Sequence, residues 1–282
     1  MSGKFTHYLV TRFNVNINGH GPEYIQRDVP NRQWEKERLP LFESICVPSV
    51  AGQTCHDFVW LIYADANSDE STLERMKTAI DGIPKAEIIL VSGFTDLVHH
   101  LQAKCAHSLS PYVITSRLDN DDAVGKQYVE TIQNHFIPED LVVINLLGGV
   151  NYHLTKKLLT LLRYKENNHF ISLIERVNVA TTPVTIMGFS HLHPRESMVV
   201  KNIPLKYAFW ITLHDQNAAP RNNRGWPVFN AGIAKHYAID PGKTPVSWRN
   251  TILYTLRWMP EAIVRKVRFK SKHMIQRNKT RG

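Results

Sequence analysis

The sequence predicts an α/β fold with a mainly parallel central sheet, built from Rossmann-like βαβ units and followed by a basic helical extension. Short apolar runs alternate with segments of helical periodicity through the first half of the 282-residue chain. The run at 58–64 is apolar throughout, as in a strand that is buried on both faces. Cations interspersed with apolar residues after position 248 predict the extension.

Five strands and four helices follow from these patterns. The strands are predicted at 7–13, 58–64, 87–91, 111–116 and 141–147. The helices are predicted at 34–47, 71–83, 95–108 and 126–136. Pro48 is expected to end the first helix, because proline lacks the amide hydrogen that continues a helix. The pattern between 148 and 235 is less regular, and no order of elements is predicted there.

The positive charge of the chain is concentrated at its C-terminus. The formal net charge is +9, and residues 262–282 contain eight Lys or Arg and no Asp or Glu, so the rest of the chain is nearly neutral. We expect a catalytic domain over 1–240 and an amphipathic basic helical tail over 241–282. Trp248 and Trp258 suit an interface, and the tail cations suit an anionic membrane surface better than nucleic acid.

Cysteine usage and hydropathy predict the compartment. Three cysteines form no CxxC pair, which is typical of a reducing cytoplasm. The longest apolar stretch, 141–150, is half of the roughly 20 residues that a membrane-spanning helix requires. We therefore expect a cytoplasmic protein, peripheral at the inner membrane.

An acidic cluster, Asp119-Asn120-Asp121-Asp122, follows the fourth predicted strand. Carboxylates this close repel one another unless a cation neutralises them, and hard oxygen ligands suit Mg²⁺ or Mn²⁺. At the end of a buried strand, the pattern predicts a metal ion that Asp119 and Asp121 share with a diphosphate. An Asp-rich turn or helix cap is the alternative interpretation.

Polar residues at neighbouring strand ends predict a nucleotide site at the same edge of the sheet, because ligands of parallel sheets bind beyond the carboxyl ends of the strands. We expect Thr11 and Arg12 to contact the base or the diphosphate. Asp65 is expected to accept hydrogen bonds from the base or the ribose, and Arg117 and Asn120 complete the predicted nucleotide-sugar site. A helix cap is an equally good interpretation of Asp65, and a surface ion pair of Arg12.

A second polar cluster, His214 and Asp215, follows an apolar run that ends at Leu213. Because a neutral imidazole can bind a metal ion, we expect His214 to be a further metal ligand. Asp215 is a candidate general base that would deprotonate an acceptor hydroxyl. A capped turn is the alternative. Neither GxGxxG nor GxxxxGK[ST] occurs, which disfavours dehydrogenases and P-loop proteins.

With these residues in view, the sequence resembles the bacterial putative rhamnosyltransferase family, which is related to GT-A glycosyltransferases, over most of residues 5–235. The blocks that carry the resemblance are 8–14, Trp34 with Arg38, Leu41 and Phe42, Pro48-Ser49 with Gln53, 60–62 with Asp65, 115–123, and His214 with Asn217. The resemblance implies a GT-A-like fold, a sugar-nucleotide donor, Mn²⁺ or Mg²⁺ at Asp119 and Asp121, and a cell-surface glycan acceptor. Asp215 stands where similar sequences have a small residue, so His214 is the better supported assignment.

The sequence therefore predicts a metal-dependent glycosyltransferase. It would move a sugar, rhamnose by the label of the family, from a nucleotide-sugar donor to a polysaccharide or a lipid-linked glycan. One alternative is a metal-dependent nucleotidyltransferase acting on sugar phosphates, which the lack of a Gly-rich loop near the first strand disfavours. Another is a nucleic-acid-binding protein that uses the basic tail, which the nearly neutral body disfavours.

Overall fold

The computed structural model describes residues 3–15, 32–162, 168–178, 180–189, 196–214 and 225–258. These residues form a mixed α/β structure with one seven-stranded and one five-stranded sheet. Among them, no helix combines the length and the apolar composition that crossing a bilayer requires.

The strands are numbered in chain order. They are β1 (Thr6–Arg12), β2 (Val59–Asp65), β3 (Ala86–Val91), β4 (Tyr112–Asp119), β5 (Ala123–Val124), β6 (Val142–Leu146), β7 (Gly149–His153), β8 (Leu158–Leu162), β9 (Ile171–Arg176), β10 (Val199–Ile203), β11 (Phe209–Leu213) and β12 (Trp226–Val228). The five strands predicted from apolar runs are confirmed as β1, β2, β3, β4 and β6, within about three residues at each end.

The larger sheet has the strand order β10-β6-β9-β4-β1-β2-β3. The pairs β1–β2, β1–β4, β2–β3 and β6–β10 are parallel, whereas β9 runs antiparallel to both β4 and β6. The carboxyl ends of β1, β2 and β4 therefore lie at one edge of the sheet, together with the amino end of β9. The prediction of a mainly parallel central sheet is confirmed.

Strand β2 shows why the centre of this sheet is apolar on both sides. Its side chains alternate between faces, so Trp60 and Ile62 pack into one apolar cluster while Leu61 and Tyr63 pack into a second one on the opposite face. All four side chains are fully buried. A continuous apolar run is the pattern that a parallel strand covered on both faces requires.

The helices are α1 (Arg32–Leu41), α2 (Val47–Ala51), α3 (Glu70–Ile80), α4 (Phe94–Ala106), α5 (Tyr128–Asn134) and α6 (residues 248–258), with a 3₁₀ helix at Ala231–Tyr237. A π-helical turn, Phe42–Cys46, joins α1 to α2 without a break. The prediction that Pro48 ends the first helix is wrong. Pro48 lies in the first turn of α2, where its missing amide hydrogen costs no helical hydrogen bond.

The five-stranded sheet has the order β12-β8-β7-β11-β5 and falls largely in the irregular part of the sequence. Its strand β5 begins four residues after β4 ends, and pairs antiparallel with β11. The chain thus passes from one sheet to the other through the acidic cluster. This connection places the cluster at the junction of the two sheets.

Helix α6 is the described part of the predicted C-terminal extension. Its N-terminal residues attach to the β7–β8 turn, because the Ser247 amide donates to the Lys157 carbonyl (2.8 Å) and Asn250 Nδ2 donates to the Lys156 carbonyl (2.7 Å). Tyr254 Oη donates to the Gly225 carbonyl (3.0 Å) just before β12. The rest of the predicted tail, 259–282, lies outside the described residues, and the boundary at residue 240 stays a prediction.

Candidate active site

The acidic cluster forms a tight turn between β4 and β5, closed by a hydrogen bond from the Asp122 amide to the Asp119 carbonyl (3.2 Å). Its three carboxylates point to different partners. Asp121 and Asp122 are buried, whereas the Asp119 side chain keeps 22% of its surface exposed. Asp119 is therefore the carboxylate that a ligand at this sheet edge would reach first.

Asp121 lies in a buried cluster with Arg38 of α1 and His214. Its Oδ2 atom accepts a hydrogen bond from Arg38 Nη1 and lies 2.8 Å from His214 Nε2, while Arg38 Nη1 itself lies 2.8 Å from that nitrogen. Burial alone would raise the pKa of Asp121, but the hydrogen bond with His214 and the charge of Arg38 outweigh it, so the pKa is lowered. Asp121 is thus a carboxylate whose charge a guanidinium already compensates.

Asp122 is held by two elements that are distant in sequence. Its Oδ1 accepts a hydrogen bond from the Thr212 amide in β11 (2.7 Å), and its Oδ2 lies 2.7 Å from His169 Nε2. His169 immediately precedes Phe170 and β9, and it is brought here because β9 runs antiparallel to β4. The same imidazole nitrogen lies 3.6 Å from Asp119 Oδ2.

Two arginines flank Asp119. Arg117 donates from Nε (3.1 Å) and Nη2 (3.0 Å) to Asp119 Oδ1, forming a largely buried ion pair on β4. Arg12, the last residue of β1, is the register partner of Asp119 in the parallel pair. Arg117 Nη2 also reaches Asp119 Oδ2 at 3.4 Å, the oxygen that lies 3.6 Å from His169 Nε2. The two arginines bring positive charge to the edge where a diphosphate is predicted.

The atoms that fit a metal ion best belong to Asp119, Asp122 and His169. Their ligand atoms all lie within 4.8 Å of one another. Ligand atoms around a six-coordinate Mg²⁺ lie about 3 Å apart, so the spacing requires only small side-chain adjustments. The two carboxylates suit Mn²⁺ or Mg²⁺, and the imidazole nitrogen adds a softer ligand.

The structure separates the predicted metal set of Asp119, Asp121 and His214, whose role as ligands stays a prediction. Asp121 and His214 do contact each other, but Arg38 lies against both of them and places a positive charge where a cation would bind. Asp122 and His169 are the residues whose potential ligand atoms lie near those of Asp119.

Three residues of the predicted nucleotide site have structural roles. Thr11 is fully buried and its Oγ1 accepts a hydrogen bond from Trp60 Nε1 (2.9 Å), so its side chain is not exposed at the sheet edge where a nucleotide is predicted. Asp65 Oδ1 closes a turn by accepting from the Asn67 amide (2.9 Å), whereas the N-cap residue of α3 is Asp69. Asn120 Nδ2 donates to the Arg12 carbonyl (3.3 Å) and to the Phe13 carbonyl, and so ties the turn to β1.

Of the remaining predicted residues, Arg12 and Arg117 lie together beside Asp119, as expected for a phosphate-binding edge. His214 follows directly after β11. The candidate base Asp215 lies outside the described residues, so its role stays a prediction.

A family model described as putative rhamnosyl transferase matches residues 7–225, which is more than half of the chain. The chain belongs to this family. The match includes the acidic cluster, Arg38, His169 and His214. Family membership and topology agree with the fold class predicted from the sequence, a GT-A-like α/β fold, and with a transferase of sugars. No curated protein matches the chain.

Two solved structures resemble the chain at low identity. TarS 1–349 of S. aureus in complex with UDP-GlcNAc matches with a TM-score of 0.42 and 11% identity, over 76% of this chain and 60% of that one. HddC from Yersinia pseudotuberculosis matches with a TM-score of 0.38 and 11% identity, over 72% of this chain and 92% of that one. The chain therefore spans about three fifths of the TarS chain that it matches.

Sequence reasoning missed Asp122 and His169 as candidate ligands and Arg38 as a partner of Asp121. A weak signal for His169 exists, since Asn168 and His169 form a polar pair directly before an apolar run, whereas the other predicted site residues follow such runs. Nothing in the sequence indicates that this pair lies at the amino end of an antiparallel strand. Arg38 was noted only as part of the family resemblance.

Proposed function

We propose that this member of the family is a metal-dependent glycosyltransferase that moves a sugar from a nucleotide-sugar donor to a cell-surface polysaccharide or a lipid-linked glycan. Rhamnose is the sugar that the family description names. The observation that supports the proposal most directly is the group Asp119, Asp122 and His169 at the carboxyl edge of the parallel strands, with Arg12 and Arg117 beside it.

The residues at this edge divide the work of binding a diphosphate. Asp119, Asp122 and His169 would hold Mn²⁺ or Mg²⁺, which neutralises the charge that develops on a nucleoside diphosphate as it leaves. Arg117 and Arg12 would bind phosphate oxygens, which guanidinium groups do through paired, charge-assisted hydrogen bonds. Arg38 and His214 hold Asp121 in place and so orient the turn that carries the ligands.

The acceptor hydroxyl must lose a proton as the new glycosidic bond forms. Asp215 is the proposed base, because it follows His214 at the end of β11 and a carboxylate can accept that proton. The Asp215→Asn variant should bind the donor as the wild type does while losing transfer. Equal loss of donor binding and transfer would argue against a role as the base.

The test is a thermal-shift screen of the full chain with sugar nucleotides, each with and without Mn²⁺, because a ligand that binds only the native state raises the melting temperature. The panel includes nucleotide-activated rhamnose and UDP-GlcNAc. We expect a shift that requires the metal and that Asp119→Asn abolishes. Asp96→Asn, a change at an exposed carboxylate of α4, is the control and should keep the shift. An undiminished shift in Asp119→Asn would contradict the proposed metal site.

Product analysis separates the proposal from the nucleotidyltransferase alternative. Sugar transfer releases a nucleoside diphosphate from the donor, whereas nucleotidyl transfer to a sugar phosphate consumes a nucleoside triphosphate and releases pyrophosphate. We expect nucleoside diphosphate release from a sugar nucleotide. Pyrophosphate release from a triphosphate and a sugar phosphate, with no turnover of sugar nucleotides, would favour the alternative.

A further inference from the structure

Helix α6 turns its most apolar face toward solvent. Trp248, Ile252 and Leu256 recur every four residues and therefore form one stripe along the helix. Trp248 is 66% exposed and Leu256 67% exposed. The opposite face, which packs on the protein, carries Thr251 and Trp258. A surface helix ordinarily buries its apolar stripe, so the orientation of α6 is inverted.

The stripe continues onto neighbouring elements. Six of the ten exposed large apolar side chains among the described residues lie in this region. We call this surface the aromatic ledge, and its members are Trp226, Phe229, Trp248, Ile252, Leu253 and Leu256. Phe229 contacts Trp248 at a ring separation of 5.3 Å, and Trp226 contacts the buried Trp258 at 4.8 Å. Contiguous exposed apolar surface of this kind marks an interaction site.

Cations surround the ledge. Arg249 and Arg257 are exposed on α6, which contains no Asp or Glu, and the exposed Lys156 and Lys157 lie in the turn to which the helix is attached. The chain then continues into 262–282, with its eight Lys or Arg and no acidic residue. Apolar and aromatic side chains flanked by cations match the boundary between acyl chains and anionic head groups.

We propose that the aromatic ledge inserts into the interface of an anionic lipid bilayer, with Arg249, Arg257 and the lysines of the β7–β8 turn on the head groups. The ledge is part of the folded protein, so it orients the whole molecule on the membrane, which a basic tail alone would not do. The inference goes beyond the proposed sugar transfer and does not rest on it.

Vesicle flotation of the full chain tests the ledge. We expect binding to phosphatidylcholine vesicles that contain phosphatidylglycerol and weak binding to pure phosphatidylcholine. The variant Trp248→Ser/Ile252→Ser/Leu256→Ser should lose more than about tenfold in partitioning. The matched control Leu90→Ser/Leu109→Ser changes exposed apolar residues elsewhere and should partition as the wild type does. The single change Leu256→Ser, at the most exposed ledge residue, should show the same loss to a smaller extent.

The charge contribution is tested separately with Arg249→Gln/Arg257→Gln. At low salt, removal of two interfacial cations should weaken partitioning by about thirtyfold, and added salt should narrow the difference from the wild type. Thermal shift with donor and Mn²⁺ in solution should be unchanged in every ledge variant, so failure of this inference is distinguishable from failure of the proposed function.

Three results would overturn the inference. The first is wild-type partitioning of the triple ledge variant. The second is self-association of the wild type in sedimentation velocity that the triple variant abolishes without a loss of vesicle binding, which would assign the ledge to a second copy of the chain. The third is a loss of unfolding stability in the triple variant with unchanged vesicle binding, which would mean that residues 259–282 cover the ledge.

Discussion

The guanidinium of Arg38 in α1 forms a buried ion pair with the carboxylate of Asp121 in the turn after β4. The two residues are 83 positions apart, so only the packing of α1 against the sheet brings them together. Asp121 is buried with Arg38, whereas Asp119, although paired with Arg117, stays partly exposed and lies near Asp122 and His169. This contact distinguishes Asp121 from the other two carboxylates of the acidic cluster.

Removing Arg38 should destabilise the protein strongly. Arg38→Ala leaves Asp121 as a buried carboxylate with its main compensating charge gone, and such changes cost about 3–5 kcal/mol of unfolding free energy. Urea denaturation at neutral pH measures the loss. Arg75→Ala removes the exposed pair with Glu43 and should cost less than about 1 kcal/mol. Equal costs for the two variants would contradict the buried ion pair.

The two candidate ligand sets predict opposite effects of single substitutions on Mn²⁺ affinity. Asp122→Asn and His169→Gln should each weaken Mn²⁺ binding by more than about tenfold. Each substitution removes a proposed ligand that also contacts the other one. Asp121→Asn should have a much smaller effect, because Arg38 already compensates that charge. Titration followed by electron paramagnetic resonance measures the free ion. A larger loss of Mn²⁺ affinity in Asp121→Asn than in Asp122→Asn and His169→Gln would favour the ligand set predicted from the sequence, which includes Asp121.

Acid should destabilise the protein through His7. This buried imidazole lies 2.7 Å from Ser116 Oγ, and burial lowers its pKa from 6.5 to about 3. Between these values the unfolded chain binds a proton that the folded protein does not, so stability falls as the pH decreases from 6.5 toward 3, by up to about 1.4 kcal/mol per pH unit.

Urea denaturation at several pH values measures this slope. His7→Gln should flatten it, because glutamine does not titrate. His107→Gln, at an exposed histidine of the α4 C-terminus, should keep the wild-type slope. A slope that is the same in the wild type and His7→Gln would show that other groups cause the acid sensitivity.

The junction of the two sheets should not tolerate a side chain at Gly125, which directly follows β5. A Cβ atom there would lie 1.8 Å from the Tyr207 carbonyl oxygen, a backbone atom held next to β11. Gly125→Ala should therefore cost about 1–3 kcal/mol of stability, measured by thermal or urea unfolding. Gly3→Ala, where a Cβ meets only an ordinary contact of 3.5 Å, should stay within about 0.5 kcal/mol of the wild type.

The regular elements of the larger sheet were predictable because their signals are local. The apolar run at 58–64 and the periodicity of 71–83 predict β2 and α3 without knowledge of any partner. The five-stranded sheet was not predicted, because β7, β8, β11 and β12 are short and their pairing depends on strands far away in the sequence. The prediction that Pro48 ends the first helix is wrong because the π-helical turn before Pro48 lets a new helix, α2, begin there.

The sequence by itself determined that three carboxylates stand at the end of a buried strand beside Arg117. Both the apolar strand and the cluster of charges are patterns of neighbouring residues, which can be recognised without knowledge of the fold. Only the tertiary structure decided which carboxylate meets which partner: Asp121 meets Arg38, and Asp122 meets His169. Ion pairs and metal sites form between atoms a few ångströms apart in space. The antiparallel course of β9 and the packing of α1, neither of which is a local property, set those distances.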